Sequence, residues 1–575
     1  MKAFFTLIIR QLCHRMLPSL LLLLACLGNV RAQAPAWQSA VGANGAQVYA
    51  MAADASGNVY LAGAFNNSVT FGTITLFGSS LGDVFVAKWS NSAGRFVWAQ
   101  QAGSIGNERA TGIAVSGNSI YIVGDFSSPT LSFGTSSITN TTTTNTFPDI
   151  FIAKLTDVGN TGSFTWARQA GGARYDLAPA IAVSGSSVYI AGYYDSATIS
   201  FGTTTLGNNT APGVISTDIF VARLSDMGST GEFDWANRAG GIGNEEAYGL
   251  ATNGTDVYVV GYFASGRVNF GTTRLTNTRE GSEDGYIAKL SDTGSFTWAL
   301  PVGGMGSEIA TAVAASGNNV FVTGFFSSSP ASFGSTTLAA AGASDAFVAN
   351  AVDAGPSAAF AWAQRAGGTG LDTPRGIAAS GTDVYVTGYF DSPAASFGPT
   401  TLVNVAAPGT SSTDIFVCKL TGSGSFAWAA QAGSPARDEG LAVATSGTTV
   451  YVAGNASFPA SFGTIGLSQV SGLAGFFATL GTSALAVAVA QARPDVVLYP
   501  NPASLGTEVL VAVPVGRGLA TLTLLDACGR VVRQRASLPA SVAPYTLALA
   551  GLSAGLYVLK VKTENGTQVC RLVIN

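Results

Sequence analysis

Short runs in which apolar and polar residues alternate follow one another along most of the chain. Each is about four to eight residues long, rich in Val, Ile, Tyr and Phe, and bounded by Ser-Gly-Asn or Asp-x-Gly signals, which predicts strands joined by tight turns. The runs recur in a fixed order. One kind reads Gly112-Ile113-Ala114-Val115 or Gly376-Ile377-Ala378-Ala379, and the next is aromatic, as at residues 187–193, 256–263 and 383–390. A short Ser-Phe-Gly element follows at Phe71, Phe133, Phe201, Phe270, Phe333, Phe397 and Phe462. Then comes Asp-x-Phe-Val-Ala-Lys, as at residues 83–88, 149–154 and, ending in Arg, 218–223. A Trp marks each set, at Trp37, Trp98, Trp166, Trp235, Trp298, Trp362 and Trp428.

A unit of ~65 residues with four short strands cannot cover both its faces alone, so neighbouring units must stack. Seven units around one axis predict an all-β fold, a seven-bladed β-propeller over residues 33–481, because radial closure removes exposed strand edges. The two ends of the array predict how it closes. Trp37 opens it on a lone outer-type strand, and the last unit, residues 441–480, lacks a Trp strand of its own. Residues 36–40 are therefore expected to complete the blade that contains residues 450–454 and 476–480.

The pattern changes after an Ala/Val-rich linker at residues 482–495. Over residues 496–575, alternating strands around Leu510, Leu522 and Leu524, a turn at residues 526–530 and a terminal strand at 571–574 predict a small Ig-like β-sandwich. At the other end, Lys2, Arg10 and Arg15 precede an apolar stretch at residues 17–27 and the small residues Ala32 and Ala34. That order predicts a signal peptide over residues 1–32, too short to span a bilayer. The rival reading is lipoprotein processing at Cys26, where Leu24 fits the required pattern badly. No later stretch predicts a membrane helix.

Charged residues make up only 10% of the chain, against about 25% in ordinary globular domains. Residues 33–495 carry a net charge of −12 and residues 496–575 a net charge of +4. An acidic body without Lys/Arg clusters excludes a nucleic-acid partner. The single His, His14, lies in the signal segment, so the mature chain has no Ser-His-Asp, Cys-His or His-metal chemistry. No catalytic residue, metal cluster or cofactor motif emerges.

The recurring Ile-Ala-Val and Tyr-Ile-x-Gly runs, followed by Asp-x-Phe-Val-Ala-Lys-Leu, resemble the bacterial beta-propeller repeat family over residues 36–480, which implies fold and says little of activity. Tyr499-Pro500-Asn501-Pro502, the central turn with Gly529 and Arg530, and Leu552-Ser553-Ala554-Gly555-Leu556-Tyr557 closely resemble the C-terminal sorting domain of type IX secretion cargo in Bacteroidota. That resemblance implies delivery by the type IX machinery to the outer surface or the medium. Cys528 and Cys570 are not required by it; they either form a disulfide or are small buried residues. Cys418 replaces an Ala of sister repeats and reads as core filling.

One acidic position recurs five residues before the first apolar residue of the Ile-Ala-Val run: Glu108, Asp176, Glu245, Glu308 and Asp372. Ala46 and Ala436 take that place in the first and last units, with Asp438 close by. If the run lines a central channel, these carboxylates ring one mouth and are candidates to hold a cation or sugar hydroxyls. Read as structure, they cap backbone N–H groups or pair with Lys and Arg. Their repetition favours structure, since function usually lives where a repeat departs from its average.

The Asp-x-Gly turns at Asp157, Asp226 and Asp292 read as hairpins, and the Phe-x-Trp pairs as packing between blades. The longer connections at residues 139–148, 208–216 and 403–412 are candidate contact loops. Two functions follow: a non-catalytic module binding a polysaccharide or protein, or a polysaccharide-acting enzyme using paired carboxylates at the channel mouth.

Overall fold

Each Trp-to-Trp period folds as one antiparallel sheet. The computed structural model describes residues 34–142, 147–210, 213–406, 412–481, 497–512, 520–526, 529–538, 545–563 and 566–575. The signal-peptide and Cys26 expectations, the linker at residues 482–495 and Cys528 lie outside them. The chain divides into two units, between Thr482 and Ser483.

In the first unit the second sheet shows the pattern. Glu108–Ser116, Ser119–Phe126, Asp149–Asp157 and Gly162–Gly172 pair in chain order, each antiparallel to the last. Gly117, at φ +61°, turns the first hairpin in a conformation that an L side chain resists. A small hairpin, Thr130–Phe133 with Ser136–Thr139, hangs between the second and third strands. Its Phe133 anchors it by packing against Phe151 and Phe164, with ring centroids 5.1 and 5.2 Å apart. Val, Ile and Phe of the central strands are buried on both faces, as expected for sheets covered by neighbours.

Among the described residues seven such four-stranded arrangements follow one another. Their first strands are the second half of Ala36–Ala53, then Glu108–Ser116, Asp176–Ser184, Glu245–Asn253, Glu308–Ser316, Asp372–Ser380 and Asp438–Ser446. Each first strand lies beside the next, and Ala36–Ala53 lies beside both Glu108–Ser116 and Asp438–Ser446. The first half of Ala36–Ala53 pairs with Ile465–Gly481, setting Trp37 opposite Leu480. The N-terminal strand thus supplies the fourth strand of the last sheet, as the missing Trp predicts.

The sheets are fastened by a contact that a turn motif alone does not reveal. Tyr60, Lys88 and Trp98, on three strands of the first sheet, all donate to the Asp157 carboxylate in a turn of the second, Tyr60 at 2.7 Å and Trp98 at 3.1 Å. Asp226 receives Tyr121, Lys154 and Trp166 in the same way, and Asp353 receives Tyr258, Lys289 and Trp298. Burial by itself would raise the Asp157 carboxyl, but Lys88, Tyr60 and Trp98 together hold it below the ordinary range. Phe96 behaves differently from Trp98. A bulge between their partners Trp89 and Lys88 leaves Phe96 on Phe71 of its own sheet.

The second unit contains a three-stranded sheet, Val497–Tyr499, Glu508–Ala512 and Tyr545–Ala548, and a four-stranded one in the order Val531–Leu538, Ala520–Leu525, Gly555–Thr563, Gly566–Ile574. Val509, Val511 and Leu547 of one share a buried core with Leu522, Leu559 and Leu572 of the other. No helix among the described residues is long and apolar enough to cross a membrane.

Candidate functional site

Every first strand carries a bulge near its start, between Ala110 and Gly112 in the second sheet and at the matching place in the others. The extra residue re-aims the strand and brings Tyr49, Thr111, Pro179, Tyr248, Thr311, Arg375 and Leu441 to one cavity of about 460 Å³. A second cavity of about 200 Å³, which shares these residues, is lined by all seven first strands.

The mouth is polar and aromatic, and it does not repeat. Arg109 donates to Asp125 at 2.8 Å, Arg437 to Glu439 at 2.6 Å, and Tyr248 to Glu246 at 2.6 Å. The Tyr248 ring lies 6.2 Å from that of Tyr193 and 6.0 Å from that of Tyr262. Burial first, and then the Glu246 charge, push the Tyr248 phenol well above its usual range, so it stays a neutral donor. Arg375 is exposed, lies over the Tyr389 ring at 5.6 Å and donates to its hydroxyl at 3.2 Å. Neutral phenols, aromatic faces, arginines and the carboxylates they pair with suit a hydroxyl-rich or anionic ligand. Around the same end of the sheets Ile105, Ile242 and Met305 stand 76%, 61% and 62% exposed.

The five acids expected to ring this mouth are placed elsewhere. Glu108, Asp176, Glu245, Glu308 and Asp372 each open a first strand, are fully buried, and do not line either cavity. The reason is local: each carboxylate turns back to accept from its own entering turn or from a serine twenty residues on. Asp176 accepts from Gly172 N–H at 2.6 Å and Ser196 Oγ at 3.1 Å, and Asp372 from Gly368 N–H at 2.7 Å and Ser392 Oγ at 2.8 Å. Glu245 accepts from the Gly241 and Ser265 N–H groups, Glu108 from Ser104 N–H and Ser128 Oγ, and Glu308 from Ser328 N–H. Burial raises all five carboxyls, Asp176 to about 8, Glu308 to about 7 and Asp372 to about 6.

The series also has a sixth member. Asp438 faces Ala456 as Glu108 faces Phe126, and it accepts from Ser434 N–H at 2.5 Å. Asp438, and not Ala436, is therefore the equivalent in the last unit, whereas Ala46 does occupy the position in the first. The contact loops at residues 139–148, 208–216 and 403–412 lie in part outside the described residues.

In the second unit Asn501 bridges to the last strand, donating to the Arg571 carbonyl at 2.6 Å and accepting from Val573 N–H at 3.0 Å. Tyr557 donates to the Ser553 carbonyl at 2.9 Å, and Arg530 to Asp526 at 2.8 Å beside Gly529, at φ +79°. Tyr499 is partly exposed and is followed by Pro500 and Pro502 in the opening turn, and Gly555 begins the strand that carries Tyr557. Cys570 faces Leu559.

Residues 497–575 match the family model of the secretion system C-terminal sorting domain. The chain carries a type IX sorting tail of the Bacteroidota kind. It addresses the protein to that secretion machinery and to the outer cell surface. No curated protein matches the chain. Among solved structures, the endosialidase of phage phi92 aligns over 93% of this chain and 87% of its own at 8% identity, with a TM-score of 0.37. PorZ of Porphyromonas gingivalis, a surface component of the type IX system, aligns over 92% and 82% at 12% identity, with a TM-score of 0.15. PorU of the same organism covers 93% of this chain and 34% of its own at 9% identity, with a TM-score of 0.12.

Proposed function

We propose that this is an exported, non-catalytic surface module whose seven sheets close into a seven-bladed β-propeller, followed by an Ig-like β-sandwich that sorts it, and that the mouth of the propeller binds a polysaccharide. One observation carries the reading. The residues that differ from repeat to repeat, Arg109, Tyr193, Glu246, Tyr248, Arg375 and Arg437, gather at one mouth. The residues that repeat are consumed by the fold. Closure is supported by the adjacency of the first strands and by the pairing of Trp37 with Leu480.

The edge-on and tilted tyrosines offer apolar faces to sugar rings, and the flanking arginines and glutamates offer donors and acceptors to hydroxyl or acidic groups. The repeated carboxylates are fully buried, which weighs against them as the general acid and base of the glycosidase alternative.

The test is a panel of soluble polysaccharides offered to the mature protein. Retention of one or more without new reducing ends is expected, weakened at least about tenfold by Arg375→Ala combined with Tyr248→Ala, since two contacts of roughly 1 kcal/mol each are lost. Turnover that disappears in Glu246→Gln or Glu439→Gln would replace this reading with the enzymatic one.

A further inference from the structure

The buried acids of the first strands do not stand alone. A second series, Asp83, Asp149, Asp218, Asp284, Asp345 and Asp414, opens the third strands and is as deeply buried. Each member meets a first-strand acid of the following sheet. In all six cases the N–H of the first-strand acid donates, at 2.8–3.2 Å, to the carbonyl of the residue just before the third-strand Asp. The two acids of each junction are thus neighbours, close enough at Asp149/Asp176 and Asp284/Glu308 for the charge of one to raise the other carboxyl. A methyl group placed on Gly367 would lie 2.2 Å from Asp345 Oδ1 and 2.6 Å from Asp372 Oδ2, so both border one small gap.

The seventh junction shows that the two acids belong together. Ala474 faces Ala456 as Asp149 faces Phe126, and Ala46 faces Phe65 as Glu108 faces Phe126. Where the ring would close, both carboxylates are replaced by alanine at once. An acid that merely capped its own turn would have no reason to disappear with a residue more than four hundred positions away.

The hydrogen bonding is incomplete in a regular way. In each third-strand Asp one oxygen accepts from its own loop, as Asp149 Oδ2 does from Thr141 and Asp284 Oδ2 from Thr278. The other oxygen is buried without a hydrogen-bond partner in all six. At two junctions the facing acid has such an oxygen too and no basic group is bonded to either: Asp149 with Asp176, and Asp284 with Glu308. Asp218 and Asp345 instead receive Arg238 at 2.9 Å and Arg365 at 3.3 Å.

A pair of buried carboxylates without a counter-charge costs several kcal/mol per ion. The hydrogen bonds donated to these four acids offset only part of that cost, and burial still raises all four carboxyls, so a cation bound there takes the place of a proton. The flanking chain is bare, with Gly171-Gly172 at one junction and Gly303-Gly304 at the other, where added methyl groups would lie 2.3 Å from Asp149 Oδ1 and 2.9 Å from Glu308 Oε2. We propose that each of these two junctions binds a divalent cation of the calcium class between its facing carboxylates. Among the described residues no site gathers three acidic, His or Cys ligands, so main-chain carbonyls, hydroxyls or water complete the shell. The affinity is then that of weak extracellular sites, roughly 10⁻⁴–10⁻³ M.

The mature full-length protein, stripped with chelator and exchanged into metal-free buffer at pH 7.5, is titrated with calcium chloride. About two calcium ions per chain by equilibrium dialysis and a melting temperature raised by about 3 °C or more at 10 mM are expected, with no response to matched sodium chloride. Asp149→Asn with Asp176→Asn removes one bound ion, and Asp284→Asn with Glu308→Gln removes the other. Absence of bound calcium and of any thermal response in the unmodified protein overturns the proposal. Stabilisation on acidification from pH 8 to 5 together with indifference to calcium does so as well, since the pairs then share a proton instead.

Discussion

Trp37 faces Leu480 across an antiparallel strand pair, and its indole N–H donates to the main-chain carbonyl of Gln431 at 3.0 Å. One residue near the start of the array is thereby tied to two segments at its far end. Trp37 also packs edge-on against Phe462, with centroids 5.1 Å apart. Replacing it by Ala removes the ring from a buried site and leaves a cavity, at a cost of about 3–5 kcal/mol. Chemical denaturation of Trp37→Ala should show a midpoint well below that of the unmodified protein.

Asp157 couples the first two sheets through Lys88, Tyr60 and Trp98, and its carboxyl is held below the ordinary range. A depressed acid gives stability that is present above its unfolded value, near 3.9, and is lost as pH falls through the folded value. Asp157→Asn should therefore be destabilised by about 3 kcal/mol at pH 7. The gap between variant and parent should narrow below about pH 4. Thermal unfolding of both proteins across pH 3 to 7 measures it, and a gap independent of pH would show that charge has no part in the contact.

Gly367 has φ +144°, and a methyl group there would lie 2.2 Å from Asp345 Oδ1. Gly367→Ala should lower stability by about 2 kcal/mol or more, through strain and displacement of a buried carboxylate. Gly207→Ala, where a methyl group meets nothing within 4 Å, should change the melting temperature little.

The sorting tail makes a prediction in the cell. Removing residues 497–575 from the gene in a host with a type IX system should leave the protein in the periplasm, as read by fractionation. Undiminished surface display would show that another segment directs export.

Much of this was legible in the residues, and what was not has a physical reason. The strands, the Trp period and the tail rest on local alternation and turn chemistry, which a single sequence carries directly. The pairing of Trp37 with the last unit was legible too, because a missing element at one end matched an unpaired one at the other. In the last unit the spacing points to Ala436 with Asp438 only close by, since strand register alone shows that Asp438 faces Ala456 as Glu108 faces Phe126. The mouth was not legible. Tyr49, Tyr248 and Arg375 meet there because each sits in a bulge, and a bulge has no composition signal in these strands. The Asp157 contact was seen only as a turn because its three donors lie in the preceding repeat. The paired carboxylates were half seen. One series stood out by position, whereas the other was hidden inside the Asp-x-Phe-Val-Ala-Lys run as an ordinary strand start.

The proposed closure of the array by its first strand, which would place the mouth, can be tested by one cross-link. Ser39 Oγ and Thr479 Oγ1 lie 2.8 Å apart on directly opposed residues, where cysteines meet the spacing a disulfide requires. In S39C/T479C, mild oxidation should join the two positions in nearly every molecule, seen as a shifted band on a non-reducing gel, and should raise the melting temperature. Two thiols that both remain free under the same oxidation would contradict a ring locked by its own N-terminal strand.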